Sequence, residues 1–212
     1  MIRVLKKIRQ DKKDFITSEE LKKYCEDLYF NYDMISNYLI SRGYLLNILD
    51  NIYYVKTLEE FNQNKIKYSV LELVEKALRK KRIKNWYYGL YTALRLINID
   101  YKNKDEFFYL INDKIEGQKP IKILGKEFRF LRFKNTFFNF GILNKKVRYS
   151  NLEKTILDLI YLWEINHLNE NKIIIEISKL MDGILEEKIL KYSKYYPKSN
   201  QKILKNALAK FF

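Results

Sequence analysis

Cysteine, histidine, proline and glycine are all scarce in this 212-residue chain, which has one, one, two and six of them. Cys25 stands alone, so no internal disulfide can form, and with His167 as the single histidine a zinc site of the usual nitrogen and sulfur ligands cannot be assembled within the chain. Cys25 falls on the inner side of a helical pattern and reads as a small core residue, not a nucleophile. The glycines are scattered, so no glycine-rich phosphate cradle ending in Lys and Ser/Thr is present. Gly-Ser followed by Asp-x-Asp, the paired-metal signature of nucleotidyltransferases, is also missing. Glu186-Glu187-Lys188 contains a nuclease-like Glu-x-Lys, but no Pro-Asp partner precedes it and its surroundings are helical in pattern. No apolar run approaches the roughly 20 residues needed to span a bilayer. Met1 to Lys7 lacks the apolar segment and small-residue cleavage site of a signal peptide, so the expected location is the cytoplasm. No catalytic residue, cofactor or metal is expected.

What is present is a basic chain with enough apolar residues for a sizeable core. Hydrophobic residues make up 47% of it, against 32% charged, a balance that predicts a globular protein and excludes a disordered one. The length favours two domains, and the net charge of +15 is unevenly shared between them. Residues 1–60 hold 10 basic and 10 acidic side chains; 61–150 hold 21 basic against 8 acidic; 151–212 are close to balanced. The attraction for polyanions therefore lies in the middle of the chain.

The region from Ile16 to Lys56 carries the most information. Thr17 and Glu20 occupy the N-cap and N3 places of a capping box, and Leu21, Tyr24, Cys25 and Leu28 follow at helical spacing. After a short turn Asn31 can cap a second helix with Ile35, Tyr38 and Leu39 inward, ending at Arg42-Gly43. Two β-rich runs, Tyr44 to Leu46 and Ile52 to Val55, then flank an Asn- and Asp-bearing connection and predict a hairpin. With a basic first helix through Val4, Leu5 and Ile8, this is the pattern of a winged helix-turn-helix over residues 1–60. On a DNA-binding reading, Tyr32, Ser36 and Asn37 lie on the outer face of the second helix, with Ser36 and Asn37 at base edges, where Asn suits adenine. Asn47 and Asn51 of the wing touch the backbone, and Lys6, Lys7, Lys12 and Lys13, with Arg3 and Arg9, grip phosphates. The same arrangement also serves as a protein-docking module, because fold does not fix function.

Residues 61–212 predict a second, basic α+β domain. A helix is expected from Lys65 to Lys81, ending in the cations Arg79, Lys80, Lys81, Arg82 and Lys84, which form either a nucleic-acid patch or a solvated helix terminus. Trp86 to Leu94 reads as aromatics leading into an amphipathic helix, with base stacking as the alternative to core packing. Short β-rich runs from Phe107 to Leu143 predict a small, mostly antiparallel sheet or half-open barrel. Ser150-Asn151-Leu152-Glu153 opens a helix with Leu152, Ile156, Leu159, Ile160 and Trp163 inward and Glu153, Lys154 and Asp158 on its more polar side. One further helix through Ile177 to Tyr192 and a short last one through Ile203 to Phe211 complete the expectation of an α+β fold, a winged module followed by a mixed α/β domain.

Three segments together resemble the AbiEi family, the antitoxin and transcriptional-repressor component of type IV abortive-infection toxin–antitoxin systems. Trp86 to Leu94, with Trp86, Tyr88, Gly89, Ala93 and Leu94, is similar to the aromatic, Gly or Ser, then Ala-Leu helix of its C-terminal domain. Ser150 to Leu159, with Glu153, Lys154, Thr155 and Asp158, resembles its Glu-Lys-Thr/Ala-x-x-Asp helix, and Tyr192 to Pro197 resembles its closing segment. The order of a winged module before such a domain matches as well. The resemblance implies a DNA-binding autorepressor, with duplex operator DNA and a nucleotidyltransferase-like toxin as partners, no membrane, and no catalytic role for Glu153, Lys154 and Asp158. The recognition helix is less basic than that of a strong operator binder, so the full-length chain, alone or as a homo-oligomer, is the expected DNA-binding unit. The rival expectation is a basic protein-interaction module that clamps an acidic partner, with DNA binding secondary.

Overall fold

The computed structural model describes residues 2–101, 106–117 and 119–211. Among these the chain is α+β, with ten α-helices, a three-stranded antiparallel sheet and a six-stranded mixed sheet. It divides into two compact units, Met1–Lys84 with Lys122–Lys126, and Asn85–Ile121 with Glu127–Phe212.

The first unit runs α1 (Ile2–Gln10), β1 (Phe15–Thr17), α2 (Ser18–Asp27), α3 (Tyr32–Ser41), β2 (Leu45–Leu49), β3 (Ile52–Val55), α4 (Leu58–Asn62) and α5 (Val70–Lys80). Local signals set the boundaries of α2 and α3. Thr17 accepts the Glu20 amide while Glu20 accepts the Thr17 amide, closing the expected capping box. Asn31 caps α3 through the Met34 amide. At its end the amides of Gly43 and Tyr44 return to the carbonyls of Ile40 and Leu39, a Schellman turn in which Gly43 takes φ +72°. The hairpin closes through Asp50-Asn51, with Asn51 at φ +61°, a left-handed position that Asn tolerates. A register shift between Asn47 and Leu49 turns both Ile48 and Leu49 inward. Val4, Leu5, Ile8, Leu21, Cys25, Ile35 and Leu39 meet in one core.

Two features of this unit depart from expectation. Phe15–Thr17 forms a third strand on β3, giving the order β1-β3-β2. Helix α5 packs on all three strands and buries Leu73, Val74, Ala77 and Leu78, so the first unit extends to Lys84 and not to residue 60. Its start is later than the spacing predicts, at a capping box between Ser69 and Glu72. A third box, Thr57 with Glu60, opens α4, and there the carboxylate does more than cap. Buried Glu60 also accepts the Tyr54 hydroxyl at 2.6 Å and the Lys67 amide at 2.8 Å. Burial raises this carboxyl, but the Lys67 amide, the Tyr54 hydroxyl and the Thr57 groups outweigh it and hold it below the ordinary range.

After Lys84 the chain forms β4 (Trp86–Tyr88), α6 (Leu90–Leu96), β5 (Phe108–Asn112), β6 (Ile121–Ile123), β7 (Lys126–Arg132), a 3-10 turn (Asn135–Phe138), β8 (Ile142–Asn144), β9 (Arg148–Ser150), α7 (Leu152–Ile165), α8 (Glu170–Ser178), α9 (Glu186–Ser193) and α10 (Lys198–Phe211). The sheet order is β6-β7-β5-β4-β9-β8. It is mixed, not mostly antiparallel: β4 runs antiparallel to β5 but parallel to β9, and β5 runs parallel to β7. Two strands were unforeseen, β9 and β4, the latter with three aromatics that are all buried. The single helix expected through Tyr192 is two helices, α8 and α9, with Gly183 at φ +75° between them, and the last helix is not short but 14 residues. Helix α7 packs against α6, α8, α9 and α10, which explains why Glu153 to Ile160 are buried without interruption.

Because the Glu60 carboxyl is held low in the folded state, its stabilisation is present above the unfolded pKa of about 4.3 and lost as pH falls through the folded value. Glu60→Gln should lower the stability of the first unit by about 1–3 kcal/mol at neutral pH and flatten its acid limb, as measured by urea unfolding at pH 7 and in steps below pH 5.

Candidate nucleic-acid interface and the buried Lys154 cluster

The outward face of α3 carries Asp33, Met34, Asn37, Ile40 and Ser41, all exposed. No Lys or Arg occurs between Phe30 and Ser41. Asn37, expected at a base edge, is exposed mid-helix. Ser36, expected beside it, is not: it is buried and its hydroxyl turns back to the Asp33 carbonyl at 3.2 Å. At 100° per residue the two neighbours fall on different sides, and Ser36 takes the core side with Ile35 and Leu39. Tyr32 is half-buried, and burial, with Tyr53 close by, raises its hydroxyl pKa.

The wing is short. Asn47 is exposed on β2, whereas Asn51 is committed to holding the hairpin against α2, its side-chain oxygen accepting from Ser18 at 3.1 Å and its carbonyl taking the Ser18 amide. The charge at its tip is Asp50, so this turn offers phosphates amide dipoles and no cation. Between α2 and α3, Tyr29 sits at φ +57° with 99% of its surface exposed. It occupies the C′ place of a Schellman turn made by the amides of Tyr29 and Phe30, where a side chain costs about 1–2 kcal/mol that glycine would avoid.

The cations differ in how far they are engaged. Lys6, Lys7 and Lys12 are exposed on and after α1, although Lys7 lies 3.6 Å from Asp11. Lys13 is bound to Glu20 at 3.2 Å. In the basic run that follows α5, Lys80 meets the same Glu20 at 2.8 Å and Arg79 meets Glu75 at 2.6 Å, while Lys81, Arg82 and Lys84 are exposed. Burial raises the Glu20 carboxyl, but Lys80, the Thr17 amide and Lys13 outweigh that and hold it low. A patch of five solvated cations is thus not what the fold presents. Two of the five neutralise carboxylates of the first unit.

The aromatic run belongs to the core. Trp86, Tyr87, Tyr88, Leu90, Ala93 and Leu94 are buried, which removes them from any stacking role with bases. Gly89 is required by close approach, since a Cβ there would stand 2.5 Å from Cδ1 of Ile111.

Glu153, Lys154 and Asp158, expected on a polar helix side, are buried as well, and so is Thr155. Lys154 and Asp158 have no exposed side-chain surface, and Lys154 Nζ lies 3.3 Å from Asp158 Oδ1. Asp158 also accepts the Tyr196 hydroxyl at 2.6 Å and the Tyr87 hydroxyl at 2.8 Å. The ammonium stands 4.6 Å from the ring centres of both Tyr87 and Phe140, a cation–π enclosure. Burial pushes the Asp158 carboxyl up against the pull of Lys154 and the two hydroxyls, and pushes the Lys154 ammonium down against Asp158. Gly141 makes room: a Cβ there would lie 2.7 Å from Cβ of Lys154. Glu153 pairs at 3.0 Å with Lys188 of α9, and Thr155 bonds Ser150 and the Asn151 carbonyl. Each member of the set holds a neighbouring segment, and Lys154 and Asp158 cannot meet a substrate without opening the fold. Among the described residues, no three His, Cys, Asp or Glu side chains gather where a metal ion could be held, and no helix is long and apolar enough to cross a membrane.

No family model matches the chain, and no curated protein matches it either. Among solved structures it is similar to the crystal structure of the RV2827C protein from Mycobacterium tuberculosis, at 10% sequence identity and a TM-score of 0.57. The match covers 98% of this chain and 75% of the other. The likeness is one of fold, spanning both units.

Removing one member of a buried ion pair leaves the other uncompensated, so Lys154→Met should cost the second unit about 3–5 kcal/mol. Adding Asp158→Leu, Tyr87→Phe and Tyr196→Phe should recover most of that loss. Trp86 and Trp163, the two tryptophans, both lie in this unit, so their fluorescence during urea unfolding reads it directly. A loss below about 1 kcal/mol, the range of exposed pairs, would show that the pair holds nothing together.

Proposed function

We propose that the chain is a DNA-binding transcriptional repressor of the AbiEi type, acting as the antitoxin of a type IV abortive-infection system, with the first unit as a winged helix-turn-helix and the second as the antitoxin domain. The observation that carries this reading is the face of α3. An exposed amide, Asn37, sits mid-helix between exposed Met34 and Ile40, on a helix held by two defined caps and followed by a two-residue wing turn. An Asn amide can bond adenine in two places and apolar side chains can meet the thymine methyl group, so such a face suits A·T pairs in the major groove. Exposed Lys6, Lys7 and Lys12 supply phosphate contacts. The second unit supports the reading through the buried Glu153, Lys154, Thr155 and Asp158 set, which stands in the resembling helix as a structural motif.

A second reading has its own observation. Tyr29 is fully exposed in a strained conformation and adjoins a helix without cations, as a protein-docking surface would be. On that reading the basic chain binds an acidic partner directly and DNA binding is secondary.

Asn37→Ala should weaken binding to the duplex upstream of the chain's own gene by about 1–3 kcal/mol while leaving binding to random duplex unchanged; fluorescence anisotropy on both duplexes measures this. An equal loss on both would refute base reading by Asn37. Co-purification with the product of the neighbouring gene at two ionic strengths tests the partner: the antitoxin role predicts a complex at low salt, and a Tyr29→Gly variant that loses it assigns the docking surface. Absence of a complex at either salt counts against neutralisation by direct contact.

A further inference from the structure

Lys56 was not among the residues that the sequence singles out, and the DNA-reading face does not use it. It follows β3 directly, and its backbone is fixed on both sides: its amide donates to the Tyr44 carbonyl at 3.0 Å, and its carbonyl accepts both Nε and Nη2 of Arg9, at 3.0 and 2.8 Å. The residue keeps only 9% of its surface and lines an open pocket of about 320 Å³ with Arg9, Lys12, Lys13, Asp14 and Thr57. The acidic member is already engaged, Asp14 lying 3.3 Å from Lys67 and accepting the Tyr68 hydroxyl at 3.0 Å. Lys13 is held by Glu20. Neither Lys56 nor Lys12 has a carboxylate partner among the described residues. The fold thus covers the stem of Lys56 and leaves its ammonium at the solvent edge of the pocket, open to an anion.

A further donor faces the same space. Arg9 spends Nε and Nη2 on the Lys56 carbonyl, which leaves the rest of its guanidinium free to donate. Thr57 adds no free side-chain donor, because its hydroxyl is engaged with Glu60 in the capping box. Lysine ammoniums with a guanidinium around a pocket of this size match a tetrahedral oxyanion with a few attached atoms.

We propose that this pocket is a phosphate-binding subsite, taking either a backbone phosphate of duplex DNA or the phosphate of a small free ligand. The assignment does not depend on base reading by α3. It is tested by calorimetric titration of the full-length protein with inorganic phosphate and pyrophosphate, at ionic strength matched with chloride. Wild type should bind one of them saturably, and Lys56→Met, which keeps the stem and removes the charge, should weaken it about tenfold or more. Lys12→Ala, at an exposed position, should weaken it as well and covers the case in which the Lys56 variant does not fold. A short duplex that competes with the anion identifies DNA as the source; a duplex that binds without competing identifies a free phosphorylated ligand. No saturable binding of either anion above the chloride control, or binding unchanged in both variants, would overturn the proposal. Either result is independent of the Asn37 experiment, so the subsite and the base-reading face can fail separately.

Discussion

The second unit depends on one buried ion pair. Lys154 and Asp158 lie one turn apart on α7, and by themselves two charges without solvent would destabilise that helix. What makes them tolerable comes from far along the chain: the Tyr87 hydroxyl from β4, the Tyr196 hydroxyl from the segment before α10, and the rings of Phe137 and Phe140. Satisfying the charges thus requires the sheet, the 3-10 turn and the C-terminal helices to be in place together. Gly141 is part of the same arrangement, since any side chain there would enter the space of Lys154. A polar centre of this kind favours one arrangement of its surroundings because alternatives leave a charge unpaired.

The first unit solves a similar problem with single carboxylates. Glu60 joins a helix start, a strand tyrosine and the approach to α5, and Glu20 caps α2 while neutralising Lys13 and Lys80. These internal uses of charge change the meaning of the composition. A net charge of zero over residues 1–60 does not imply an evenly neutral surface, because its carboxylates are partly consumed inside the unit while Lys6, Lys12 and Lys56 have no carboxylate partner among the described residues. The basic run after α5, in contrast, is less available than its five charges suggest.

Much of this was legible in the sequence, and what was not has physical causes. Helix ends were readable where the signal is local: the Thr17 and Glu20 box, the Asn31 cap and the Arg42-Gly43 stop all stand as their chemistry predicts. The boxes at Thr57 and Ser69 are equally local and mark α4 and the true start of α5. Strand β4 was hidden because three consecutive buried aromatics show no alternation, as befits a strand interior to a sheet. The burial of α7 on its charged side could not be read from periodicity, since the groups that permit it are about 40 to 70 positions away. For the same reason nothing in the sequence marked Lys56 as different from other lysines. Of the two neighbours expected on the outer face of α3, Asn37 is exposed and Ser36 is buried, because the helical rotation separates them.

Hydrogen–deuterium exchange of the full-length chain, with and without the duplex from upstream of its own gene, tests the assignment of DNA reading to the first unit most directly. The account predicts slower exchange in Ile2–Gln10 and Tyr32–Ser41 and in the hairpin that follows, with the interior of α7 unchanged. Slowing confined to the second unit, or none at a duplex concentration that saturates binding, would contradict it.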